Sequence, residues 1–434
     1  MKTADHLNFD VLVIIFSYLN ANDFASVALV SKSFLAAVTP WLYRSLRFHV
    51  AQAKGYPKVM TPFQAVLARP EFPVYVRAID IRVIPNTVTK MSPDVRFLKD
   101  AAAAVGASQN IRSFTCTLYR AVPSFLAPLQ GKENLQHLRI SANLTPVQSD
   151  LLIKLKGLKS LFLENASWSV LDALPRWAKV LEPTLSHLTI QMTHDLNEGI
   201  LKETTAQLPN LLGLHIIACP RVHDFSVLSA TASLRHLQSL AFSITEPAKQ
   251  LPEVYLHELR HLAIDLAPSC LAASSHSAEE VLTLTRMLQL TRFTQLSSLA
   301  LRSSGRQELP FEVLDDILER HGKHLRALRL MCVALDTDMV YDVAERCEKL
   351  EKLVMAIPVT EIDQFTEALT CSDSLTTLID VTDHGVHGHR RSLLTEPVRE
   401  LMEDVPSLQR VVSSNRYWTV CFAVVSASFR AFEG

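Results

Sequence analysis

Residues 157–165 read GLKSLFLEN, and three leucines in this stretch stand at spacings of three and then two residues. They are Leu158, Leu161 and Leu163. Two variable residues separate the first leucine from the second, and one variable residue separates the second from the third. Alternation of this kind places apolar side chains on one face of a short strand and variable ones on the other. The stretch therefore predicts a strand that needs a second apolar layer behind it.

The same spacing recurs along most of the chain, at intervals of roughly 22 to 29 residues with a few longer gaps. Clear copies begin at Leu135, Leu158, Leu185, Leu211, Leu237, Leu259, Leu296, Leu325 and Leu350, and weaker copies begin at Val76, Ile111, Leu375 and Leu408. Helical patterns lie between many copies, for example at 95–105, 170–180, 277–290, 311–321, 339–347 and 397–402. The interval is typical of leucine-rich repeats, and the alternation of strand and helix predicts an α/β solenoid with an inner parallel sheet and outer helices.

Four segments are expected from these patterns. They are a helical domain at 1–48, a proline-containing connecting segment at 49–75, the repeat solenoid at 76–415 and a capping segment at 416–434 that covers the open end of the solenoid.

The stretch ahead of the repeats, residues 7–48, reads LNFDVLVIIFSYLNANDFASVALVSKSFLAAVTPWLYRSLRF. One helical face contains Val11, Leu12, Ile15, Phe16 and Leu19. Val13 and Ile14 make the opposite side of the same helix apolar as well. The stretch therefore predicts three short helices that carry more apolar surface than they can bury among themselves.

These residues resemble an F-box. The residues that match its pattern are Leu7, then Ile15-Phe16-Ser17-Tyr18-Leu19, Asp23-Phe24, Leu29-Val30-Ser31-Lys32 and Pro40-Trp41-Leu42-Tyr43-Arg44. The chain departs from the pattern at Asn8, where the family usually has proline, although an asparagine side chain is also able to cap the start of a helix. The repeats resemble the irregular leucine-rich repeats of fungal and other eukaryotic F-box proteins.

The resemblance implies a partner, the small Skp-type adaptor that links F-box proteins to a cullin and RING scaffold. By motif match and expected exposure, the adaptor-binding residues are Leu7, Leu12, Ile15, Phe16, Leu19, Phe24, Val27, Val30 and Phe34. The implied function is that of the substrate-recognition subunit of an SCF-type (Skp-cullin-F-box) E3 ubiquitin ligase. Two alternatives stay open, namely a Skp-bound or free repeat scaffold with no role in ubiquitination, and a helical segment that only caps the solenoid.

The variable positions of the strands are the expected surface for an unknown protein substrate. They include His137, Arg139, Phe162, His187, His215, His261, Arg302 and Arg329, followed further along by Lys352 and Arg410. Their mixed charge favours a protein-binding wall. Recognition of phosphate, for which Arg139, Arg302 and Arg329 are candidates, stays open.

Histidines raise the question of a metal site. His137, His187 and His261 occupy the same repeat position, but parallel strands lie about 4.8 Å apart, so rings two or three strands apart cannot share one zinc ion. A denser group, Asp383, His384, His387 and His389, is interleaved with glycine and is typical of a surface loop. No metal and no cofactor is therefore expected.

Composition points away from several classes of function. The 434 residues carry a formal net charge of -1, which implies no general attraction to nucleic acid or to an anionic membrane. The chain contains only 11 glycines and none of the glycine-rich phosphate loops or hydrolase motifs of common enzymes, so a non-catalytic protein is expected. The seven scattered cysteines and the absence of a long apolar run favour a reduced compartment, the cytoplasm or nucleus, without membrane insertion.

Overall fold

The computed structural model describes residues 7–87, 90–244, 252, 254, 256–266, 288, 294–381, 393–413, 416–423 and 426–429. The chain divides into two compact units, residues 1–208 and residues 209–434. Both units alternate short parallel strands with helices, and the first unit opens with three helices. The predicted fold class is confirmed.

The three opening helices are α1 (Phe9–Ser17), α2 (Asp23–Ala28) and α3 (Lys32–Leu42), and α3 packs on both of the others. The Ser31 side chain caps α3 by accepting a hydrogen bond from the backbone N–H of Phe34 at 3.2 Å. Asn8 makes no such side-chain bond. Only its carbonyl joins α1, by accepting from the N–H of Leu12 at 3.1 Å, so the expected side-chain cap is wrong.

The parallel sheet of the first unit consists of β1 (Ser45–Phe48), β2 (Ala78–Ile81), β5 (Ser113–Cys116), β6 (His137–Ser141), β7 (Ser160–Glu164) and β8 (His187–Gln191). Between β2 and β5 lies a small antiparallel pair, β3 (Asn86–Thr87) and β4 (Lys90–Pro93). Because β1 pairs with β2, the sheet begins inside the segment 1–48 that was expected to be wholly helical. Tyr43, Leu46 and Phe48 have the spacing of the repeat, which is the signal for this strand.

Helices connect these strands. They are α4 (Val50–Gly55), α5 (Pro62–Leu67), a 3-10 turn at Pro73–Tyr75, α6 (Val95–Ala107), α7 (Val122–Leu126), α8 (Pro146–Leu152), α9 (Trp168–Leu181) and α10 (Glu198–Ala206). Successive helices pack on one another, as α5 does on α6 and α9 does on α10. The Tyr43 ring stacks on Phe72 of the connecting segment, with the ring centroids 4.2 Å apart. The opening helices are thereby attached to the first repeats by aromatic contact as well as by β1.

The second unit continues the alternation. Its strands are β9 (Gly213–Ile217), β10 (Ser239–Ile244), β11 (His261–Leu266), β12 (Ser298–Glu308), β13 (Ala327–Ala334), β14 (Lys352–Met355), β15 (Thr377–Asp380), β16 (Arg410–Ser413), β17 (Arg416–Ala423) and β18 (Ser426–Phe429). Its helices are α11 (Asp224–Thr231), α12 (Phe311–His321), α13 (Thr337–Arg346), α14 (Ile362–Leu369) and α15 (Thr395–Asp404), with 3-10 turns at Gly322–His324 and Val359–Glu361. The helix expected at 277–290 falls almost entirely outside the described residues.

The core of each unit follows from the strand register. Equivalent repeat positions pair across neighbouring strands, so that the leucines of the middle apolar position form one buried row. In the second unit this row contains Leu214, Leu240, Leu262, Leu299, Leu328, Leu353, Leu378 and Val411. Burying one such side chain contributes about 1.5 to 3 kcal/mol. Past this row, β17 reverses direction and pairs antiparallel with β16, at the position expected for the capping segment.

Candidate protein-binding surfaces

The first helix is apolar on two sides. One side contains Val11, Ile14, Ile15 and Tyr18, at the spacing of one helical face, and these side chains are 41%, 59%, 45% and 84% exposed. A surface helix normally presents polar residues to water, because exposed apolar groups contribute nothing to folding. This exposed side is therefore available for a partner.

The other side of α1 holds the helical domain together. Leu12 and Phe16 are only 2% and 3% exposed, and they pack against Ala37 and Val38 of α3. The ring centroids of Phe16 and Phe34 lie 5.2 Å apart. Leu12 and Phe16 therefore belong to the core of the three short helices, and their contact with an adaptor stays a prediction.

The remaining predicted adaptor-binding residues divide into two groups. Leu19, Phe24, Val27 and Phe34 are half-buried against the core of the helical domain. Leu7, Ile15 and Val30 are exposed, as the expectation required.

Further exposed apolar side chains lie beyond α1. Leu29 and Val30, in the turn between α2 and α3, are 89% and 64% exposed, and Leu35 on α3 is also exposed. We call Val11, Ile14, Ile15, Tyr18, Leu29, Val30 and Leu35 the helical apolar surface. The motif had not singled out Ile14, Tyr18, Leu29 and Leu35 as binding residues, although the excess of apolar residues signalled such a surface.

In the first unit the predicted substrate-binding residues lie on the open face of the sheet, the face whose side chains alternate with the buried leucines. The Arg139 guanidinium lies 4.1 Å from the centroid of the Phe162 ring, on the next strand. His137 and His187 flank Ser160 in register, so they are two strands, about 10 Å, apart. The pKa of His187 is lowered by burial and by the nearby His137. The register thus places these two histidines on strands that are not neighbours.

The predicted residues of the second unit also lie on an open face, but two of them are engaged. A ring nitrogen of His215, Nε2, lies 2.8 Å from the Ser239 hydroxyl. Arg302 Nε lies 4.0 Å from an oxygen of Asp265 on the neighbouring strand. His261 and Arg329 are exposed there.

Cations gather further along the same open face. The pKa of Lys352 is lowered by partial burial and by the positive charges of Arg329 and Arg410. Arg329 also lowers the pKa of His261, after the effect of burial. These groups come from different repeats, and only the strand register brings them together.

A metal-binding cluster and a membrane-spanning helix are both absent from the described residues. Within them, no group of three or more histidine, cysteine, aspartate or glutamate side chains is arranged to hold a metal ion. The histidine-rich stretch at 383–389 lies outside the described residues. Among the described helices, none has the length and apolar character needed to span a bilayer.

Comparison with known protein families finds a match for the N-terminal residues of the chain. Residues 9–49 match the F-box-like family. No curated protein matches the chain. Among solved structures, the chain is similar to a chain of the Rad7 and Elc1 complex from yeast, with a TM-score of 0.48 and 15% identity over 88% of this chain and 91% of that chain.

A second solved structure, the TLR13-ssRNA13 complex, gives a TM-score of 0.35 and 17% identity over 80% of this chain and 44% of that chain. The family match spans α1, α2, α3 and β1, the elements that carry the helical apolar surface and join it to the sheet. Residues 9–49 are therefore an F-box-like domain, set ahead of an α/β repeat region.

Proposed function

We propose that this chain is the substrate-recognition subunit of an SCF-type E3 ubiquitin ligase. Its F-box-like domain binds a Skp-type adaptor, which connects it to a cullin and a RING subunit, and its repeats bind a target protein. The observation that carries the proposal is the helical apolar surface, because it lies on the domain that matches the F-box-like family.

The energetics support a docking role for this surface. A fully buried Val, Leu or Ile side chain contributes about 1.5 to 3 kcal/mol, so a few anchors would dominate the affinity. Ile14, Ile15 and Tyr18 are the strongest candidates on α1, since they are large and exposed. The buried Leu12 and Phe16 would hold α1 against α3 and thereby keep these exposed side chains in position.

The chain itself contributes proximity in this proposal. It holds the target near a ubiquitin-charged enzyme that belongs to other subunits, which raises the effective concentration of the reacting groups. No catalytic residue is assigned to it, and its place of action is the cytoplasm or the nucleus.

A second candidate is a scaffold that binds the adaptor through the same surface, or remains free, and recruits a partner without ubiquitination. The two differ in what the adaptor complex contains. Cullin in the purified complex, together with turnover of the bound partner that depends on cullin, supports the ligase subunit. An adaptor complex that never recruits cullin supports the scaffold.

The direct test is co-expression of the full chain with a Skp-type adaptor, followed by size-exclusion chromatography. The test variant is Ile14→Asp with Ile15→Asp, which places two charges in the proposed interface. The matched control is Val147→Asp with Phe311→Asp, because these side chains are 73% and 52% exposed at the starts of α8 and α12, outside the F-box-like domain.

The native chain and the control should form a stoichiometric adaptor complex, and the test variant should lose it while its circular dichroism stays native. Failure of the folded native chain to bind any Skp-type adaptor would refute both the ligase role and the adaptor-bound scaffold. A complex that survives the two aspartates would instead refute the assignment of the interface to α1.

A further inference from the structure

Three cations from neighbouring repeats lie on the open face of the second unit. Lys352 on β14 pairs with Thr377 on β15, which pairs with Arg410 on β16. Arg329, on β13, pairs with Val354, two residues past Lys352. In its own strand, each of the three cations is next to a residue of the buried row. Its side chain therefore lies on the other side of the sheet, the open face. Arg329 and Arg410 are three strand steps and two residues apart, a span of about 16 Å.

Within the described part of the chain these cations have no acidic partner, although the Arg410 guanidinium lies 5.8 Å from the centroid of the Tyr417 ring. Among the described residues, no carboxylate lies within ion-pair distance of Arg329, Lys352 or Arg410. Two nearby arginines differ in this respect: Arg326 Nη1 lies 2.6 Å from an oxygen of Glu351, and Arg302 lies 4.0 Å from Asp265.

One buried acid of this region is already occupied by other groups. One oxygen of Asp380 accepts a hydrogen bond from the backbone N–H of Ile357, and the other accepts from the Ser413 hydroxyl. Asp380 is only 7% exposed and occupies the inward apolar position of its strand. It is therefore on the opposite side of the sheet from the cations.

The positive charges of the cluster repel one another. Lys352 is partly desolvated, and both neighbouring arginines disfavour its charged form, as the lowered pKa indicates. Like charges held together without a counter-charge raise the energy of the folded state, and an anionic ligand would relieve that repulsion. The surface between the cations is uncharged and partly apolar, with Ala327, Val354 and Ile379 in the intervening positions.

We propose that Arg329, Lys352 and Arg410 bind an acidic, extended peptide segment of the target protein. The inference rests on the proposed function, which supplies the reason to expect a protein ligand on this face. Alternate side chains of an extended peptide lie on one side, and the first and fifth residues are about 13 Å apart. Glutamate or aspartate at three alternate positions would therefore come within reach of all three cations, because lysine and arginine side chains are long.

Nucleic acid fits these observations less well. Its binding relies on many phosphate contacts along an extended positive surface. The chain has a net charge of -1, and the three cations form a local group. A short run of carboxylates needs only such a group.

The test uses the full chain without adaptor and a fluorescein-labelled peptide that carries glutamate at three alternate positions. Its control peptide has glutamine at those positions. The test variant is Arg329→Gln, Lys352→Gln, Arg410→Gln. The matched control variant is Arg326→Gln, Lys349→Gln, Arg399→Gln, which removes the same charge from exposed side chains outside the cluster, two of which form ion pairs.

Fluorescence anisotropy should show the glutamate peptide binding to the native chain, with affinity about tenfold or more lower in the test variant and changed less than about twofold in the control variant. Raising the ionic strength from roughly 0.05 M to 0.5 M should weaken the binding, because the Debye length falls from about 14 Å to about 4 Å and the charges of peptide and chain are screened from each other. Circular dichroism checks that each variant is folded.

Several results would overturn the inference. They are absence of binding to the native chain at millimolar peptide, equal binding of the glutamine peptide, and equal losses in the two variants. Displacement of the peptide by a single-stranded oligonucleotide of equal charge at lower concentration would assign the surface to nucleic acid instead. Because the adaptor is absent from this experiment, failure here with adaptor binding intact refutes the peptide site alone.

Discussion

Ile15 and Phe16 are consecutive residues of α1 whose side chains leave the helix about 100° apart, and 45% of Ile15 but only 3% of Phe16 is exposed. Phe16 packs on α3, whereas Ile15 lies with the other exposed apolar residues of the helix. One short helix thus serves folding with one side and presents a binding surface with the other.

Phe16→Ala should destabilise the helical domain by about 3 to 5 kcal/mol, because it removes a buried ring and its contact with Phe34. Hydrogen exchange of the amides of α1 and α3 should become much faster. Ile15→Ala, one residue away, should change local stability by only about 0.5 kcal/mol. Similar exchange in the two variants would contradict the division of the helix into a buried and an exposed side.

Asp380→Ala should lower the free energy of unfolding by about 1 to 3 kcal/mol. The substitution leaves the backbone N–H of Ile357 and the hydroxyl of Ser413 without their buried partner. Urea unfolding followed by circular dichroism measures the change. The control is Asp373→Ala, an exposed aspartate in the same repeat, which should have little effect. Equal stability of both variants would argue against a structural role for Asp380.

His321, at the end of α12, should make the stability depend on pH. Burial, aided by Arg320 and opposed by Asp316, lowers its pKa to about 4, below the value of about 6.5 in an unfolded chain. Below pH 6.5 the unfolded chain therefore binds the proton more readily. The free energy of unfolding therefore has its full value above about pH 6.5 and declines as the pH falls toward 4, by up to about 3 kcal/mol.

Urea unfolding of the native chain and His321→Gln between pH 7 and 4.5 checks this expectation. The native chain should lose more stability across the window than the variant, whatever their difference at pH 7. Substitution of the nearby His324 with Gln should leave the native pH dependence in place. Parallel curves for the native chain and His321→Gln would show that His321 does not carry the effect.

Asp94 joins the connecting segment to α6. One of its oxygens accepts hydrogen bonds from the backbone N–H of Phe97 at 2.8 Å and from the Tyr56 hydroxyl at 2.9 Å. Burial and this carboxylate raise the pKa of Tyr56 to about 12. Asp94→Asn should lower the Tyr56 pKa, because it removes the charge, yet keep most of the stability of the helix, because asparagine also caps well.

Ultraviolet titration of tyrosinate measures the first effect, and thermal unfolding measures the second. Asp94→Ala should show the same fall in pKa together with a loss of about 1 to 2 kcal/mol. An unchanged high-pH titration in both variants would mean that burial alone sets the pKa.

Much of the binding surface was beyond the reach of the sequence pattern. Helical spacing placed Leu12, Ile15 and Phe16 together on a broad apolar side, but it could not say which of them turns toward α3. The geometry of three packed helices buries Leu12 and Phe16 and leaves Ile15 in solvent. The motif match gives Tyr18 no binding role, although its spacing from Ile14 and Ile15 puts it on the exposed side.

The sequence by itself determined the repeated strands, because an apolar side chain at each of three regularly spaced positions is buried only when equivalent strands stack. It also determined the F-box-like domain, since a continuous run of matching residues carries that pattern. Tertiary structure alone decided how close Arg329, Lys352 and Arg410 come on the open face, and that both oxygens of the inward Asp380 are bonded. The reason is physical: residues far apart along the chain become neighbours only through strand register, and the burial of a polar group depends on partners that other repeats supply.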